Sequence, residues 1–429
     1  MPLELRSLVP EDDPSLWLKE GLCKIDLSPI RELYEDCGGI AYDPKPMLGI
    51  LLLGYFEGQT GSGTLEKRCR RDVAYIYVSD GLKPDDKTIR RFRNRIGPAL
   101  PEIFETVVQA CGKVGLLGLR RVAADGTRIA SACSQINRWL TEAEKKDVQE
   151  MGLEPPKCSD PDARNLGKSG TFVRGYNGQA AVDCDSGVVV AVSLDNVSSD
   201  GHHLAPLIRQ VVANAGATPE ELVADAGYDT HEGATTCEEL GVKAIIASKE
   251  PLMKFWTVTD DDKIVCPLGN EAVPSGKPNL NKETGKMYQE LRVKGCSKCP
   301  LYDGCCDSKG ARTLSYPEGA DPVHRINSTY RARSPEGKAA MRERLATIEP
   351  VFADIKWNKG LNRFKLRGLT GARIEWTLIH MARNLAKLGK ALKAAQTGLF
   401  GRISKVFLQL AATVTGHPRR GAIWRLRLA

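Results

Sequence analysis

The chain has 429 residues, with 61 Lys and Arg against 53 Asp and Glu, so its formal net charge is +8. This length predicts two or three domains, and the small positive excess favours an anionic partner without identifying one. Its longest apolar run, around residues 50–53, is too short to cross a bilayer, and most of the 13 cysteines are scattered, which predicts a cytoplasmic protein. No phosphate-cradling Gly loop ending in Lys-Ser/Thr is present, so an energy-coupled motor is not favoured.

Residues from about Pro44 to Leu117 have the apolar periodicity of a compact helical unit. Within this unit, Asp85 or Asp86 can cap a helix that buries one apolar stripe and leaves its cations on the other faces. A solvated helix face gives the same pattern about as often as a DNA-contacting one. The cations that we expect to contact DNA are Lys87, Arg90, Arg91 and Arg93.

The region after about Leu119 has a different order of predicted elements, in which strands precede alternating helices and strands. The predicted elements are strands at 121–127, 176–184 and 188–194, a helix at 204–215, a strand ending at 225, a helix at 233–240 and a strand at 243–247. This order is the topology of the ribonuclease H-like fold, in which the first and fourth strands lie side by side. Asp125 and Asp225, which end those two strands, are therefore expected to be neighbours.

A third acid, Glu349, lies on a basic helical stretch whose start is predicted at Ser334-Pro335. Arg342, Glu349 and Lys356 recur every seven residues and so share one face of that helix. Pro350 predicts a kink, or the start of a new helix, directly after the acid. A surface ion-pair stripe explains the spacing about as well as a functional site does.

Carboxylates are the ligands that magnesium prefers, and two ions can clamp the attacking and leaving oxygens of a phosphodiester. A single aspartate at a strand end is usually a turn cap or a solvated acid. Three acids in matching topological positions favour a metal centre instead. Asp125, Asp225 and Glu349 are thus the candidate catalytic residues and the candidate ligands for two Mg²⁺ or Mn²⁺ ions.

An insertion from about Glu250 to Tyr330 is rich in Gly, Pro and Cys. Its thiols can supply four soft ligands for a closed structural zinc site, from Cys266, Cys296, Cys299 and Cys305, with Cys306 as the alternative fourth ligand. Unligated thiols in a poorly ordered loop are the other interpretation, because the gap between the first two cysteines is long. A catalytic zinc is not favoured, since no histidine is close in sequence.

Basic residues are also concentrated in the C-terminal part of the chain. From Lys356 to Lys393 there are ten Lys and Arg against a single acid, Glu375. Such clustering is typical of contact with the phosphate backbone. Two basic runs that flank a set of carboxylates favour DNA as the partner, with Lys356, Arg363 and Arg367 among the contacts.

His202 and His203 follow Asp200-Gly201 at the start of a predicted helix. Adjacent histidines invite a role as metal ligands or as partners of a nucleophile. A helix start makes capping or surface roles the simpler interpretation, and we assign them no function.

Taken together, these motifs resemble bacterial insertion-sequence transposases of the DDE type, in the group with an InsH-like N-terminal domain. The resemblance covers about residues 42–390 and is carried by 42–44, 51–55, 65–66, 84–93, 125–127, 175–179, 225–228 and Glu349 with Phe352 and Lys356. One departure is that Met341 or Arg342 stands where this group has a tyrosine. Another is that Arg344 is one residue further from the acid than the usual arginine.

The resemblance implies an α/β fold with a ribonuclease H-like mixed-sheet core. Its expected parts are an all-α DNA-binding domain at 1–117, the first part of the core at 118–249, the Cys-rich insertion at 250–330, the closing helices at 331–395 and a basic tail at 396–429. Asp125, Asp225 and Glu349 would bind the divalent ions, and Arg344 and Lys356 would contact donor DNA near the cut.

The implied activity is magnesium-dependent cleavage at terminal inverted repeats followed by strand transfer into target double-stranded DNA. A homodimer is expected in the synaptic complex, associated with the nucleoid when bound to DNA. Two alternatives stay open. One is a catalytically inactive, transposase-derived DNA-binding protein, and the other is a ribonuclease H-like nuclease or junction resolvase that cuts without joining.

Overall fold

The computed structural model of the chain describes residues 4–34, 42–133, 150, 160–168, 171–250, 254–282, 285–306 and 310–415, with backbone alone from 396 onward. Of the predicted basic tail, residues 416–429 lie outside the described part. Within the described residues, no helix is both long and apolar enough to cross a membrane.

Helices make up the N-terminal region as far as Lys113. They are α1 (Pro14–Leu22), α2 (Ser28–Glu32), α3 (Pro44–Phe56), α4 (Ser62–Arg71), α5 (Val73–Val78), α6 (Asp86–Arg95) and α7 (Leu100–Lys113). Asp85 caps α6, because its carboxylate accepts the backbone N–H of Thr88 at 2.7 Å. Asp72 separates α4 from α5 and caps the latter, because its carboxylate accepts the N–H of Ala74 at 3.0 Å.

A six-stranded mixed sheet follows. Its elements are β1 (Arg121–Ala130), β2 (Arg164–Lys168), β3 (Thr171–Asp183), β4 (Val189–Asp195), α8 (Leu204–Ala215), β5 (Glu221–Ala224), α9 (His231–Glu239) and β6 (Lys243–Ile246). The strand order is β2-β3-β1-β5-β6, with β4 also paired to β3. Because β1 and β5 pair in parallel, the predicted contact between the first and fourth strands of the core is confirmed. The short strand β2 was not predicted.

The insertion folds as a separate small unit. It contains β7 (Thr257–Val258), β8 (Ile264–Val265), β9 (Ala272–Pro274), β10 (Asn279–Leu280), β11 (Met287–Val293), α10 (Tyr302–Cys305) and β12 (Thr313–Pro317). Its hydrophobic cluster is small and includes Trp256, Leu291 and two cysteines, Cys266 and Cys296. The insertion thus has its own core, apart from that of the sheet.

Three helices close the structure: α11 (Pro322–Arg333), α12 (Pro335–Ala353) and α13 (Gly368–Thr415). As predicted, α12 begins at Ser334-Pro335, where the Ser334 hydroxyl accepts the N–H of Gly337 at 2.9 Å. The helix runs through Pro350 to Ala353, and its irregular π-helical turn comes later, at Asp354–Asn358. The expectation that a new helix starts directly after Glu349 is therefore wrong, while the expected kink at Pro350 stays a prediction.

Helix α13 packs against α1, α3, α7 and β4, and so joins the N-terminal helices to the sheet. One continuous hydrophobic core includes residues from all of these elements. A buried polar contact reinforces the junction, because the Tyr55 hydroxyl donates to Glu375 Oε1 at 3.0 Å while Glu375 Oε2 accepts the N–H of Lys365 at 2.6 Å. The predicted boundary at 117/118 does not separate two hydrophobic cores.

Candidate functional site

The two strand-end aspartates meet at one edge of the sheet. Ala124 of β1 is paired with Ala224 of β5, so Asp125 and Asp225 are the next residues on neighbouring parallel strands. Both line a cavity of about 810 Å³, which we call the carboxylate cavity. Its other lining residues are Gly126, Thr127, Arg128, Gly167, Val173, Asn177, Ser198, Ser199, Asp200, Ala226, Gly227, Lys249 and Lys356.

The guanidinium of Arg344, from α12, lies between the two aspartates. Its Nη2 is 3.0 Å from Asp125 Oδ2 and 3.7 Å from Asp225 Oδ2, and its Nε donates to the carbonyl of Ala124 at 3.1 Å. Burial raises the pKa of Asp125, while the positive charge of Arg344 acts in the opposite direction. One buried cation thus offsets part of the negative charge of two converging carboxylates.

Glycine amides orient both aspartates. Gly126 N–H and Gly227 N–H each donate, at 2.8 Å, to the Oδ1 atom of Asp125 and of Asp225, respectively. A Cβ on Gly227 would lie only 2.9 Å from Asp225 Oδ1 and 3.1 Å from Asp200 Oδ2. The close approach of this backbone to two carboxylates therefore favours glycine, because a Cβ would displace both carboxylates.

Asp200 is a third carboxylate of the cavity that the sequence analysis did not assign. Its Oδ1 accepts hydrogen bonds from Asn177 Nδ2 at 2.8 Å and from Gln179 Nε2 at 2.9 Å. Gln179 Oε1 in turn accepts from the Tyr228 hydroxyl. The signal in the sequence was the pair of amide residues Asn177 and Gln179, which are two positions apart and so lie on the same face of β3.

Glu349 is exposed on α12 and does not line the carboxylate cavity. The helix instead turns Arg344, Ile348 and Val351 inward, and the acid is one position off that buried stripe. Lys356, seven residues further, does line the cavity. In the described part of the chain, Asp125, Asp225 and Glu349 are not a group whose ligand oxygens all lie within 4.8 Å of one another.

A different group does meet that distance. Among the described residues, Asp195, His202 and His203 are the one set of three potential ligands whose ligand atoms all lie within 4.8 Å. His203 is only 5% exposed, so a surface role for it is wrong. The sequence signal was the adjacent pair of histidines, but their meeting with Asp195 depends on the fold.

The cations predicted to contact DNA divide into exposed and internal groups. Lys87, Arg90, Arg91 and Arg367 are exposed. Arg363 is partly buried, and its Nη1 donates to the carbonyls of Ser131 at 2.7 Å and of Cys133. Arg363 is therefore partly engaged inside the fold.

Two of the predicted DNA contacts are buried. Arg93 is 4% exposed and donates to the Thr60 carbonyl at 2.8 Å, because it follows Ile89 by four residues and so lies on the buried face of α6. Arg344 is 3% exposed and bound to the aspartates. In this structure, neither side chain is accessible to DNA.

Five cysteines converge in the insertion and form what we call the cysteine cluster: Cys266, Cys296, Cys299, Cys305 and Cys306. The pKa of Cys306 is raised to about 11 by burial and by its hydrogen bond with Cys296. Backbone N–H groups donate to two of the sulfurs at 3.4 Å, from Leu301 to Cys299 and from Arg312 to Cys296. Their Sγ atoms do not form a set of three within 4.8 Å, and all five are free thiols.

Two family models match the chain. Residues 4–95 match the transposase domain model known as DUF772, and residues 265–389 match the transposase DDE domain model. The chain belongs to the insertion-sequence DDE transposases. No curated protein matches it.

The matches extend over the N-terminal helices, most of the cysteine-bearing insertion and the closing helices with Glu349 and Lys356. The transposase family implies DNA binding and a DNA-processing activity. Asp125 and Asp225 lie outside the matched ranges. Their assignment therefore depends on their own geometry.

Proposed function

We propose that this transposase cuts DNA at transposon ends and joins the freed ends to target DNA, with divalent ions held by Asp125 and Asp225. The observation that carries the proposal is the parallel pairing of β1 with β5, which brings two carboxylates from distant parts of the sequence to one solvent-accessible cavity. The main chain fixes both strands, so the two acids are preorganised for a shared cation.

The donor set of the cavity fits magnesium. Asp125, Asp225 and Asp200 offer only oxygen atoms, and no cysteine or histidine lines the cavity among the described residues. When bound, Mg²⁺ supplies polarisation of the phosphodiester and activation of the attacking oxygen. The positive charge of Arg344 stabilises the aspartate pair. When a metal ion binds to Asp125, Arg344 must share or release Asp125 Oδ2.

Glu349 is proposed as the third acid. Lys356, seven residues further along the chain, lines the carboxylate cavity, so the C-terminal end of α12 leads toward the site. Lys356 lies within the π-helical turn Asp354–Asn358 that follows α12, a local irregularity of a kind often found at functional sites. A shift of α12 upon DNA binding would bring Glu349 toward the two aspartates.

DNA contacts are proposed at the carboxylate cavity and on α6. Lys249 and Lys356 line the cavity, where ammonium groups suit the phosphates around the cut. Lys87, Arg90 and Arg91 project from α6 and would bind the terminal inverted repeat. Joining two ends requires two catalytic sites, so a homodimer is proposed for the synaptic complex.

The cysteine cluster is proposed as a structural zinc site. The five thiols converge in one part of the insertion and two of them accept backbone N–H bonds, so modest side-chain movements would let four of them bind as thiolates around zinc. Cys305 is 6% exposed and adjoins Cys266, Cys296 and Cys299, which makes it the proposed fourth ligand. Cys306, hydrogen-bonded to Cys296, is the alternative.

The test is a cleavage and joining assay with labelled transposon-end DNA, target plasmid and Mg²⁺. Asp125→Asn, Asp225→Asn and Glu349→Gln are each expected to lower cleavage by about 10³-fold or more while leaving end binding intact. Glu336→Gln, which alters another exposed acid of α12, is the matched control and is expected to cut normally.

Each alternative function has its own outcome in this assay. Cleavage without joined product would make the protein a nuclease or resolvase. Binding without either reaction would make it an inactive DNA-binding derivative. Normal cleavage by Glu349→Gln would remove Glu349 from the site while keeping the two aspartates.

A further inference from the structure

The segment between β4 and α8 gathers three potential metal ligands outside the proposed magnesium site. Strand β4 ends at Asp195, and the chain then passes through Asp200 into a 3-10 turn, Gly201–His203. His202 Nε2 lies 2.7 Å from Asp195 Oδ2, and His203 Nε2 lies 3.3 Å from the same oxygen. Two imidazole nitrogens thus face one carboxylate oxygen.

His203 gives the strongest indication that this group can take a ligand. The residue is 95% buried, and its Nε2 atom lies 3.3 Å from Asp195 Oδ2 without a hydrogen bond of good geometry. Buried polar atoms are almost always satisfied in native proteins. Its other nitrogen, Nδ1, is 3.3 Å from the hydroxyl of Ser193, which can accept the Nδ1 proton and leave Nε2 with a free lone pair.

The other two potential ligands, Asp195 and His202, are also positioned to bind an ion. Asp195 Oδ1 accepts the N–H of Val197 at 2.9 Å, so this bond orients the carboxylate and directs Oδ2 toward the histidines. The side chain of His202 is 46% exposed, and its ring lies 4.0 Å from that of His203. The site is therefore open to solvent on one side, where a water could complete the coordination.

We propose that Asp195, His202 and His203 bind one divalent transition-metal ion, with Zn²⁺ the best-suited species. Two nitrogens and one oxygen with an open fourth position are a donor set for zinc, whereas magnesium prefers oxygen alone. Ligand atoms 2.7–3.3 Å apart need only small side-chain rotations to surround an ion.

The ion would act on the carboxylate cavity by fixing the loop that forms one of its walls. Asn177, which pairs with Asp195 between β3 and β4, donates to the carbonyl of Val197 at 3.2 Å and to Asp200 Oδ1 at 2.8 Å. The metal ligands and the cavity wall thus belong to one short segment. Occupancy of the site holds Asp200 in its cavity-facing position.

The test measures metal content and Co²⁺ spectra of the full-length protein, neither of which depends on transposition. The metal is first removed by chelation, and Zn²⁺ or Co²⁺ is then added back. His202→Ala is expected to lose about one ion per chain and the weak visible bands of the nitrogen-oxygen site, while the thiolate absorption of the cysteine cluster persists. Asp195→Asn is expected to weaken binding at least tenfold.

His324→Ala is the matched control, because His324 faces a single carboxylate, Asp321, at 3.8 Å and is not part of a three-ligand group among the described residues. Its metal content is expected to equal that of the unmodified chain. Hydrogen exchange provides a second readout, since Zn²⁺ is expected to slow exchange at 196–203 in the unmodified chain and not in His202→Ala. Equal metal content and exchange in His202→Ala, Asp195→Asn and the unmodified chain would overturn the proposal and leave an ordinary histidine–aspartate hydrogen bond.

Discussion

The carboxylate cavity and the cysteine cluster are both candidate metal centres, yet they are assembled in different ways. In the cavity, strand register fixes the two aspartates and Arg344 compensates their charge. In the cluster, the thiols lie in turns and short helical segments of an insertion with a small hydrophobic core. The cavity can therefore form without a metal, whereas the insertion is expected to need one.

This difference follows from what surrounds each site. The strands that carry Asp125 and Asp225 belong to a core that extends from the N-terminal helices to α13. The insertion cluster contains few large apolar side chains, so ligand binding contributes more of its stability. On the proposed assignments, a metal would serve catalysis in the first region and structure in the second.

The largest expected effect is the loss of zinc from the insertion. Cys296→Ser is expected to remove about one zinc ion per chain and to expose 254–320 to proteolysis, because apparent binding energies of structural zinc reach about 10–16 kcal/mol. Cys237→Ser replaces a buried thiol outside the cluster and is the control. Metal analysis and limited proteolysis check the result, and an insertion that stays resistant without zinc would contradict the comparison.

The next effect concerns the counter-ion of the cavity. Arg344→Met leaves two converging carboxylates without their buried cation, which is expected to cost about 3–5 kcal/mol of unfolding free energy. Added Mg²⁺ or Mn²⁺ is expected to recover part of this loss, because a divalent ion can take over the charge compensation. Denaturant unfolding with and without the metal measures both terms.

Arg120→Met is the control for this experiment. Arg120 also contacts two acids, Asp185 and Glu343, but its side chain is 44% exposed, so the expected change is about 0–1 kcal/mol and independent of Mg²⁺. If divalent ions restored Arg120→Met and Arg344→Met equally, the recovery would not come from the cavity.

The aspartate pair could be predicted from the sequence because it depends on a local pattern and on a common strand arrangement. Each acid ends a short apolar run, and the order of strands and helices makes those two strands neighbours. Glu349 could not be located in the same way. Its orientation depends on how α12 packs and on the π-helical turn after Ala353, and neither follows from helical periodicity alone.

Other differences have identifiable causes. Asp200 reaches the cavity through amides on a neighbouring strand, so its sequence neighbours do not reveal it. Arg93 could have been predicted as buried, since it follows Ile89 by one helical turn. The strands of the insertion are only two to seven residues long, which is too short for a clear alternating pattern.

The pH dependence of stability also distinguishes the main core from the insertion. His380 in the main core is fully buried, with no hydrogen bond at either ring nitrogen, and its pKa is lowered from 6.5 to about 3, chiefly by burial. The unfolded chain therefore binds one more proton between these values. Stability is fully present above about pH 6.5 and falls by about 1.4 kcal/mol per unit as the pH drops toward 3.

His380→Leu and His380→Gln are both expected to remove this one-proton component of the pH dependence of unfolding. Both variants are still expected to lose zinc from the cysteine cluster in acid, since thiols must be deprotonated to bind the metal. Unfolding free energies measured from pH 6.5 to 4 check the slope. An unchanged slope in both variants would mean that His380 does not titrate differently in the folded chain.

The smallest effects come from two glycines, one in each region. Gly269, in the insertion, has a φ of +77° and no neighbouring atom within 4 Å of an added Cβ, so Gly269→Ala is expected to cost about 1 kcal/mol through backbone strain alone. Gly227 has no such φ, but its added Cβ would press on Asp225 and Asp200. Gly227→Ala is therefore expected to weaken Mn²⁺ binding at the cavity by about tenfold, whereas Gly269→Ala leaves it unchanged. Mn²⁺ titration of both variants is the measurement. Weaker binding in Gly227→Ala alone is the expected result, because only that Cβ presses on the carboxylates of the cavity. Equal Mn²⁺ affinities would show that the cavity tolerates displacement of its carboxylates.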